Sequence, residues 1–495
     1  MTTGHTKLLF SWDDVDSLPD MRRLRLVLDW LPDEPVIEAL RARRGRGRDD
    51  YPVEAMWRAL VAGMVFQHAS VESLLRELGR NPGLLSVCGF DPLPRQGKPC
   101  RGVRADPGTG AATVVEFPAP ARSPVPKAWN FTRFLEAVEA VESDTGAVTG
   151  MIDALRERLK EALPDFGGHL GYDGKAIESH STGRANRETG KTSDPEADWG
   201  RHETRGVDKK TGKAWTKVKS WFGYGLHLIA DTHYELPVAF ELTKASASES
   251  PVLSEMVRGL LAKDRDLADR CSDFSADRGL DGGPLKKMLW DDYGVRPLID
   301  TRLTWREEKA MPDYDPSKPI LRPLYPERVD TVLHSEKGEV ICRCPATGVE
   351  RPMAFQGFEA DRGTLKYRCP AAAYDLTCRG RAVCHKQAGC NAGDYGRVVR
   401  VDLGKVDRRV FTPTPHGSPS WRRGYKRRAA LERINARLDN DFGFERHHIR
   451  GHAAMKTRVG LALAIMMALA LGHVMEGRPG QMRSLVGAVP FLDTG

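Results

Sequence analysis

The N-terminal part of the chain has apolar residues at helical spacing. Met56, Leu60 and Met64 recur four residues apart, and a second apolar group follows around residue 75. This spacing is typical of amphipathic helices, which we predict over residues 19–90. We therefore expect residues 1–92 to form a helical domain.

Residues 93–127 lack this periodicity. The segment is rich in Pro, Gly and Arg, with few apolar residues at regular intervals. Such composition is typical of a linker or an exposed loop. We place a domain boundary here, and residues 128–303 begin the next domain.

After residue 163 the apolar spacing changes from helical to alternating. The clearest alternation is in Phe222, Tyr224, Leu226 and Leu228. In chain order the pattern predicts three strands, a helix, a strand, a helix and a strand, at about residues 170–176, 222–228, 236–242, 250–263, 271–276, 283–293 and 296–300. This order predicts an α/β fold with a ribonuclease-H-like layer, in which the later strands form a parallel pair. The polar stretch 184–219 is predicted to be a surface insertion.

Composition excludes several classes of protein. The chain has 495 residues, of which 40% are hydrophobic and 29% charged, so it is not a disordered, fibrous or disulfide-dense protein. The net charge is +8, yet residues 397–458 alone contain 16 Lys and Arg against 6 Asp and Glu. A concentrated positive charge attracts polyanions such as nucleic acid. A solvated charged helix is the alternative, and charge alone does not decide between them.

The longest apolar run, residues 459–472, is shorter than the roughly 20 residues of a membrane span. We expect it to be a buried helix. The N-terminus lacks the basic and then apolar order of a secretory signal. The sequence therefore predicts a cytoplasmic protein without a membrane partner.

Two aspartates lie at predicted strand ends. Asp173 is at or just past the end of the first strand, and Asp277 directly follows the fourth. These strands are neighbours in the predicted layer, so both side chains should reach one sheet edge. Carboxylate oxygens suit Mg²⁺ or Mn²⁺. Each aspartate alone is more typical of a turn, because a glycine follows one or two residues later.

Residues 418–442 predict a single helix that begins with a Ser418 cap and Pro419. Its apolar stripe is Leu431, Ile434 and Leu438. A polar stripe runs beside it, made of Tyr425, Arg428, Glu432 and Asn435. A carboxylate here would complete a two-metal site, while its neighbours hold a phosphate. An exposed helix with ion pairs is the alternative that spacing alone favours.

The Tyr425, Arg428 and Glu432 spacing resembles one branch of a known family, the DDE transposases of bacterial insertion sequences. Further likeness covers most of the chain. It lies at residues 52–90, Tyr172-Asp173-Gly174, Phe222-Gly223-Tyr224, Ala276-Asp277-Arg278-Gly279 and Phe444-Glu445-Arg446-His447. Each motif is short, but their order on an α/β layer makes the combination specific.

This resemblance implies a role for each matching residue. Asp173, Asp277 and Glu432 would be the catalytic residues and would hold two Mg²⁺ or Mn²⁺ ions. Tyr425 and Arg428 would contact DNA phosphates near the cleaved bond. It also implies double-stranded DNA partners, the element ends and the target, bound by a homodimer whose helical N-terminal domain binds DNA.

One position departs from the family. Members of this branch often have a lysine seven residues after the glutamate, where this chain has Asp439. We expect Arg437 or Lys426 to replace that cation, unless the contact is missing. Arg427 and Trp421 are further DNA-binding candidates in the same basic segment. Trp421 is suited either to stacking on an unpaired base or to packing.

Six of the nine cysteines fall in a predicted insertion, residues 304–404, that separates residues 128–303 from the last catalytic segment, 405–495. They are Cys342, Cys344, Cys369, Cys378, Cys384 and Cys390. A small lobe gains folding energy from zinc, for which these are suitable ligands. Their spacing is irregular and contains no Cys-x-x-Cys pair, so unliganded buried thiols are the alternative.

Together these features predict a transposase that cuts element ends and joins them to target DNA by two-metal chemistry. Two other functions stay open. A metal-dependent nuclease without strand transfer would have the same three acids. A catalytically inactive DNA-binding regulator would need only the basic segment.

Overall fold

The structure is a computed structural model, and it describes residues 19–46, 51–91, 100–105, 112–117, 123–207, 211, 213–305, 315, 318–325, 331–387 and 395–485. The helices are α1 (Pro19–Trp30), α2 (Glu34–Arg44), α3 (Val53–Val65), α4 (Val71–Arg80), α5 (Pro82–Val87), α6 (Ala128–Thr145), α7 (Ala147–Ala162), α8 (Glu249–Lys263), α9 (Arg265–Arg270), α10 (Gly283–Asp291), α11 (Pro370–Ala373), α12 (Arg381–Gln387), α13 (Pro419–Lys426), α14 (Ala429–Asn440) and α15 (His452–Met475). Short 3₁₀ turns occupy Arg278–Leu280 and Pro479–Gln481.

The strands are β1 (Cys100–Ala105), β2 (Ala112–Phe117), β3 (His169–Glu178), β4 (Asp198–Val207), β5 (Ala214–Asp231), β6 (Leu236–Lys244), β7 (Asp273–Ala276), β8 (Arg296–Ile299), β9 (Leu321–Pro323), β10 (Val332–Ser335), β11 (Val340–Arg343), β12 (Glu350–Pro352), β13 (Ala354–Glu359), β14 (Thr364–Arg368) and β15 (Val398–Asp402). Helices and sheets alternate through the middle of the chain. The predicted α/β class is confirmed.

The N-terminal helices share their core with the rest of the chain. Helices α1 to α5 confirm the predicted helical region, and α3 is buried along almost its whole length. Trp57 is fully buried, and its indole N–H donates to Asp33 Oδ2 at 2.6 Å. The apolar residues of these helices belong to the same core cluster as those of the central sheet. The N-terminal region therefore packs onto the following domain and has no separate core.

A β-hairpin lies within the segment that the sequence predicts as a linker. Strands β1 and β2 are antiparallel, with Cys100 paired to Phe117 and Ala105 paired to Ala112. The prediction of a linker or exposed loop did not include this hairpin. The abundant Pro, Gly and Arg conceal a short β-branched run, Thr113–Val115, that favours a strand.

The central sheet contains the five predicted strands, and those associated with Asp173 and Asp277 are neighbours, as the sequence predicts. β6 pairs with β5, β5 with β3, β3 with β7 and β7 with β8. The first three strands are antiparallel, and the β3–β7 and β7–β8 pairs are parallel. Helices α8 and α10 lie between the later strands in the chain, as a crossover to a parallel strand requires.

The polar stretch 184–219, predicted to be a surface insertion, contains strands that the sequence analysis did not identify. It contains β4 and the first residues of β5, which pair from Asp198↔Gly223 to Val207↔Ala214. Both faces of this ribbon are exposed for much of its length. Without a buried face there is no apolar alternation, which explains why the pattern does not reveal these strands.

The predicted insertion is a lobe with its own sheets. One has the order β12-β11-β10-β9 and the other β13-β14-β15. They enclose a second core that includes Leu365, Tyr367 and Val401, together with Val410 and Phe411. The lobe therefore extends a few residues beyond the predicted boundary at residue 404.

A buried ion cluster joins this lobe to the catalytic domain. The Asp281 side chain is fully buried and accepts from Lys286 Nζ at 2.5 Å and from Arg409 Nε at 3.0 Å. It also accepts the backbone N–H of Arg302. Burial lowers the pKa of Lys286, and the adjacent Asp281 opposes this shift. Asp281 thus neutralises Lys286, and it shares the neutralisation of Arg409 with Glu336.

We predict that D281N will lower the free energy of unfolding by about 3–5 kcal/mol, because it leaves Lys286 buried beside a neutral amide, whereas Arg409 keeps Glu336 at 2.8 Å. The control is D402N, since Asp402 is 39% exposed and pairs with Lys405 at 3.7 Å. That change should cost less than about 1 kcal/mol. Thermal unfolding measures both effects, and equal losses in the two variants would contradict the prediction.

Helix α15 contains the longest apolar run. At 24 residues it is long and apolar enough to cross a bilayer, but 83% of its most apolar window is buried inside the fold. It packs against α7, α1 and α6. The prediction of a buried helix is confirmed.

Candidate active site

Strands β3 and β7 bring Asp173 and Asp277 to neighbouring positions. The strands are parallel, with Gly171 paired to Ser275, so each aspartate lies two residues further along its own strand direction. Neighbouring strands are about 4.8 Å apart. The two carboxylates are close enough that the charge of Asp277 raises the pKa of Asp173.

The local setting of Asp173 differs from the prediction in one respect. β3 continues to Glu178, so Asp173 lies within the strand and not at its end. Gly174 pairs with His227 in the ladder and is not a turn residue. A Cβ at Gly174 would lie 2.6 Å from Oε1 of Glu249, which real Cβ atoms do not tolerate. With glycine at this position the side chain of Glu249, the first residue of α8, reaches the strand; a larger residue would displace the end of that flexible side chain.

The glutamate helix is divided into two helices, which corrects the prediction of a single helix over 418–442. Ser418 caps α13 by accepting the Trp421 backbone N–H, as predicted. Between α13 and α14 the backbone hydrogen bonds change to the shorter 3₁₀ spacing. Successive backbone bonds span three residues there, from Arg427 to Gly424, Arg428 to Tyr425, Ala430 to Arg427 and Leu431 to Arg428. The predicted apolar stripe Leu431, Ile434 and Leu438 is fully buried.

Arg428 joins two of the predicted acids across this tight turn. Its guanidinium lies 2.9 Å from Glu432 Oε1 and 3.6 Å from Asp173 Oδ1. Asn435, one turn further along, donates to Asp173 Oδ2 at 2.9 Å. The Glu432 side chain itself is 62% exposed. The polar stripe of α14 therefore faces Asp173, and Glu432 remains accessible beside it.

The electrostatics of Asp173 show how many negative charges meet here. Its pKa is raised to about 6, chiefly by burial; Arg428 opposes this rise, and the carboxylates of Asp277, Glu249 and Glu432 add to it. Burial and Asp277 also raise the pKa of Glu249. A carboxylate with a raised pKa in an acidic cleft is typical of a functional site. Glu249 is the member of this group that sequence analysis missed.

Comparison with protein-family models identifies the family of the chain that carries this site. Residues 169–468 match the family model described as transposase DDE domain. The chain belongs to this family. Residues 13–98 match a second model, described as transposase domain (DUF772). No curated protein matches the chain.

The family match begins at the first residue of β3 and contains Asp173, Asp277 and Glu432. The protein is therefore a DDE-type transposase, as the resemblance implied, and its substrate is DNA. The second match covers most of helices α1 to α5. The two matches thus account for both the central sheet and the helices that pack on it.

Divalent metal ions are the general cofactors of DDE transposases. Asp173, Asp277 and Glu432 fit such ions in chemistry, since Mg²⁺ prefers carboxylate oxygens. Within the described ranges, however, no three His, Cys, Asp or Glu side chains are grouped closely enough to hold a metal. Arg428 supplies the positive charge between Asp173 and Glu432 instead. Metal binding by these three acids stays a prediction.

Three of the predicted DNA-binding residues make contacts with other residues of the same chain. Trp421 is 7% exposed and stacks on Tyr425, with centroids 4.6 Å apart. Arg427 donates to Asp273, and Arg437 donates to the backbone oxygen of Glu235. Each of the three side chains thus has a partner within the fold, and its contact with DNA stays a prediction. Their partners are distant in sequence, so the local pattern does not reveal them.

Tyr425, Lys426 and Arg428 remain candidates for DNA contact. Tyr425 and Arg428 are partly exposed and Lys426 is exposed. They lie within one turn of each other at the junction of α13 and α14. The roles implied by the family thus remain available to these three side chains.

Asp439, the residue that departs from the family pattern, pairs with another side chain in the structure. Lys175 Nζ lies 2.6 Å from Asp439 Oδ2. Lys175 follows Asp173 by two residues on β3, so both side chains lie on the same face of the sheet. The transposase therefore has a lysine beside position 439 after all, contributed by the strand. Replacement of the family's lysine by Arg437 or Lys426 stays a prediction, with the missing contact as its alternative.

Five of the six clustered cysteines line one cavity of about 560 Å³ in the lobe: Cys342, Cys344, Cys369, Cys378 and Cys384. Cys390 lies outside the described residues. Burial raises the pKa of Cys342 to about 12, whereas hydrogen bonds, first from Thr347, lower that of Cys344. No metal-holding group of three forms among the thiols that the structure describes. Zinc in this lobe stays a prediction, with unliganded thiols as its alternative.

Proposed function

We propose that this transposase cuts the ends of a DNA element and joins them to target DNA, with Asp173, Asp277 and Glu432 as the catalytic acids. The observation that supports this most is the Arg428 bridge. It unites the strand carboxylate with the helix carboxylate, next to the strand end that carries Asp277. The order of the five core strands is also that of a ribonuclease-H-like domain, which we propose for residues 128–303 and 405–495.

The three acids would hold two Mg²⁺ or Mn²⁺ ions, which lower the pKa of a bound water and neutralise charge on the departing oxygen. Asp173 and Asp277 lie on a rigid sheet and set the position of the scissile phosphate. Glu432 approaches from the helix and closes the site. Arg428, already between Asp173 and Glu432, is placed to contact a phosphate oxygen that enters the cleft.

The chemistry needs no covalent bond between protein and DNA. In the first step a water oxygen attacks the phosphorus at the element end, the P–O3′ bond breaks and a free 3′ hydroxyl leaves. In the second step that hydroxyl attacks a target phosphodiester in line, forms a new P–O bond and releases a target 3′ hydroxyl. The same three carboxylates serve both steps.

We infer that the transposase works as a homodimer on DNA, because both ends of an element must be engaged together. The helices α1 to α5 would recognise the end sequence, and the basic segment 397–458 would supply salt-dependent affinity. Such a protein would act in the bacterial cytoplasm, associated with the nucleoid.

The test uses the full chain and a labelled duplex taken from the DNA that bounds its gene, with a supercoiled plasmid as target. With Mg²⁺ we expect nicks that leave 3′ hydroxyls, followed by labelled joined products, and neither product in EDTA. Nicks without joined products would establish a nuclease without strand transfer. Binding without nicks would establish a DNA-binding regulator, and either result would overturn the proposal.

A further inference from the structure

The β4–β5 ribbon extends beyond the central sheet. β3 pairs with β5 only from Gly223 onward, whereas β4 pairs with β5 back to Ala214. Residues 213–220 are all exposed. At about 3.3 Å per residue, the ribbon beyond the sheet is about 25 Å long. A two-stranded antiparallel ribbon of this kind fits the major groove of DNA.

One face of the ribbon is basic and aromatic. The register places four cross-strand pairs on this face, Gly200–Trp221, His202–Lys219, Thr204–Lys217 and Gly206–Trp215. We call these eight positions the basic ribbon face. The two tryptophans cover the glycines, because a Cβ at Gly200 or Gly206 would lie 2.4 Å from the opposite indole ring. Both lysines therefore lie between two aromatic rings, and Trp215 is 44% exposed.

The charge of the ribbon is unbalanced. Residues 199–221 contain seven Lys and Arg against two Asp and Glu, in a chain whose net charge is only +8. None of the eight positions of the basic ribbon face is acidic. In the described part of the chain Lys217 and Lys219 form no ion pair, whereas Arg201 on the opposite face pairs with Glu203 at 3.5 Å. The two lysines are thus available to a polyanion.

The basic ribbon face is continuous with the candidate active site. Lys219 lines a cavity of about 460 Å³ together with Lys175, the strand neighbour of Asp173. Arg446 and His180 line the same cavity. His202, opposite Lys219, is close enough that its charge lowers the pKa of Glu249. Glu178, Asp439 and Glu445 line the cavity as well. The ribbon therefore adjoins the region of the catalytic acids through a cavity lined by both basic and acidic side chains.

We propose that the basic ribbon face binds double-stranded DNA and guides the duplex toward the active site. Lys217 and Lys219 neutralise phosphates, and Trp215 packs against the sugar-phosphate backbone. The inference rests on the proposed function, since the duplex is the one that the acids cut. It adds a DNA-binding surface outside the helical N-terminal domain and outside the segment 397–458.

The test measures binding of the full chain to a 40-bp duplex at several salt concentrations. Each phosphate contact contributes about 0.9 to the slope of log K against log salt, so K217A/K219A should lower that slope by about 1.8. We expect its affinity at low salt to fall about tenfold or more. The control is K263A/K318A, which removes the same charge at sites 70% and 77% exposed, outside both the ribbon and the segment 397–458. It should change neither quantity.

A second pair of variants tests the aromatic contribution. W215A should weaken binding of the duplex severalfold, whereas W129A should not, although Trp129 is 55% exposed. If the wild-type chain binds and nicks DNA but K217A/K219A keeps the wild-type slope, the ribbon inference is wrong and the proposed function stands. If the wild-type chain binds anionic lipid vesicles and not the duplex, both are overturned.

Discussion

E432Q should lower Mg²⁺-dependent nicking of end DNA by about 10³-fold or more, while binding of the same DNA stays within about twofold of the wild-type value. Loss of one carboxylate ligand removes several kcal/mol of transition-state stabilisation, and each 1.36 kcal/mol is tenfold in rate. The change keeps the shape of the side chain. Since Glu432 is 62% exposed and its pair with Arg428 is near the surface, the fold should be unaffected.

A matched control is E157Q. Glu157 is 56% exposed and also pairs with a cation, Lys160, at 2.9 Å, but it lies on α7. Its nicking rate should equal that of the wild type. Single-turnover nicking with saturating DNA separates loss of chemistry from loss of binding. If E432Q nicks at the wild-type rate, Glu432 is not the third catalytic acid, whatever the role of Asp173 and Asp277.

The central sheet could be predicted because its strands have a buried face. The alternation of Phe222, Tyr224 and Leu226 reflects side chains that enter the core, and these residues are buried in the structure. Strand order then follows from the sequence of elements, which places Asp173 beside Asp277. The ribbon β4–β5 lacks a buried face, so the same reasoning could not find it.

The contacts around the candidate active site join residues that are far apart in the chain. Lys175 and Asp439 meet although 264 positions separate them, and the pairing of Arg427 with Asp273 spans 154. No periodic pattern encodes such pairs. The approach of Glu249 to β3 likewise becomes evident only once Gly174 is seen within a strand. The acids could thus be predicted from motifs, but their neighbours could not.

The transposase should lose stability steeply in mild acid because of two histidines in its core. His227 and His473 are each 2% exposed, and burial lowers the pKa of each to about 4. Their pKa in the unfolded chain is about 6.5. Below that value the unfolded state binds protons that the folded state cannot accept. Their neutral state therefore supports full stability above pH 6.5, and this contribution is lost as the pH falls toward 4.

Each histidine should contribute about 1.4 kcal/mol per pH unit to the slope of the unfolding free energy between pH 6.5 and 4, so the pair contributes up to about 2.7. H473L should remove half of that contribution while it keeps the site apolar. Nδ1 of His473 has no hydrogen-bond partner in the structure, so little is lost at pH 7. H202L is the control, since His202 is exposed on the ribbon.

Urea unfolding at several values between pH 5 and 7.5 measures these slopes. The wild type and H202L should become less stable in parallel as the pH falls, and H473L should have the shallower dependence. The comparison isolates His473 because carboxylates that titrate in the same range are common to all three proteins. Identical slopes in the wild type and H473L would mean that water or a rearranged helix end solvates His473 in the folded state, and that its burial near the end of α15 does not control acid stability.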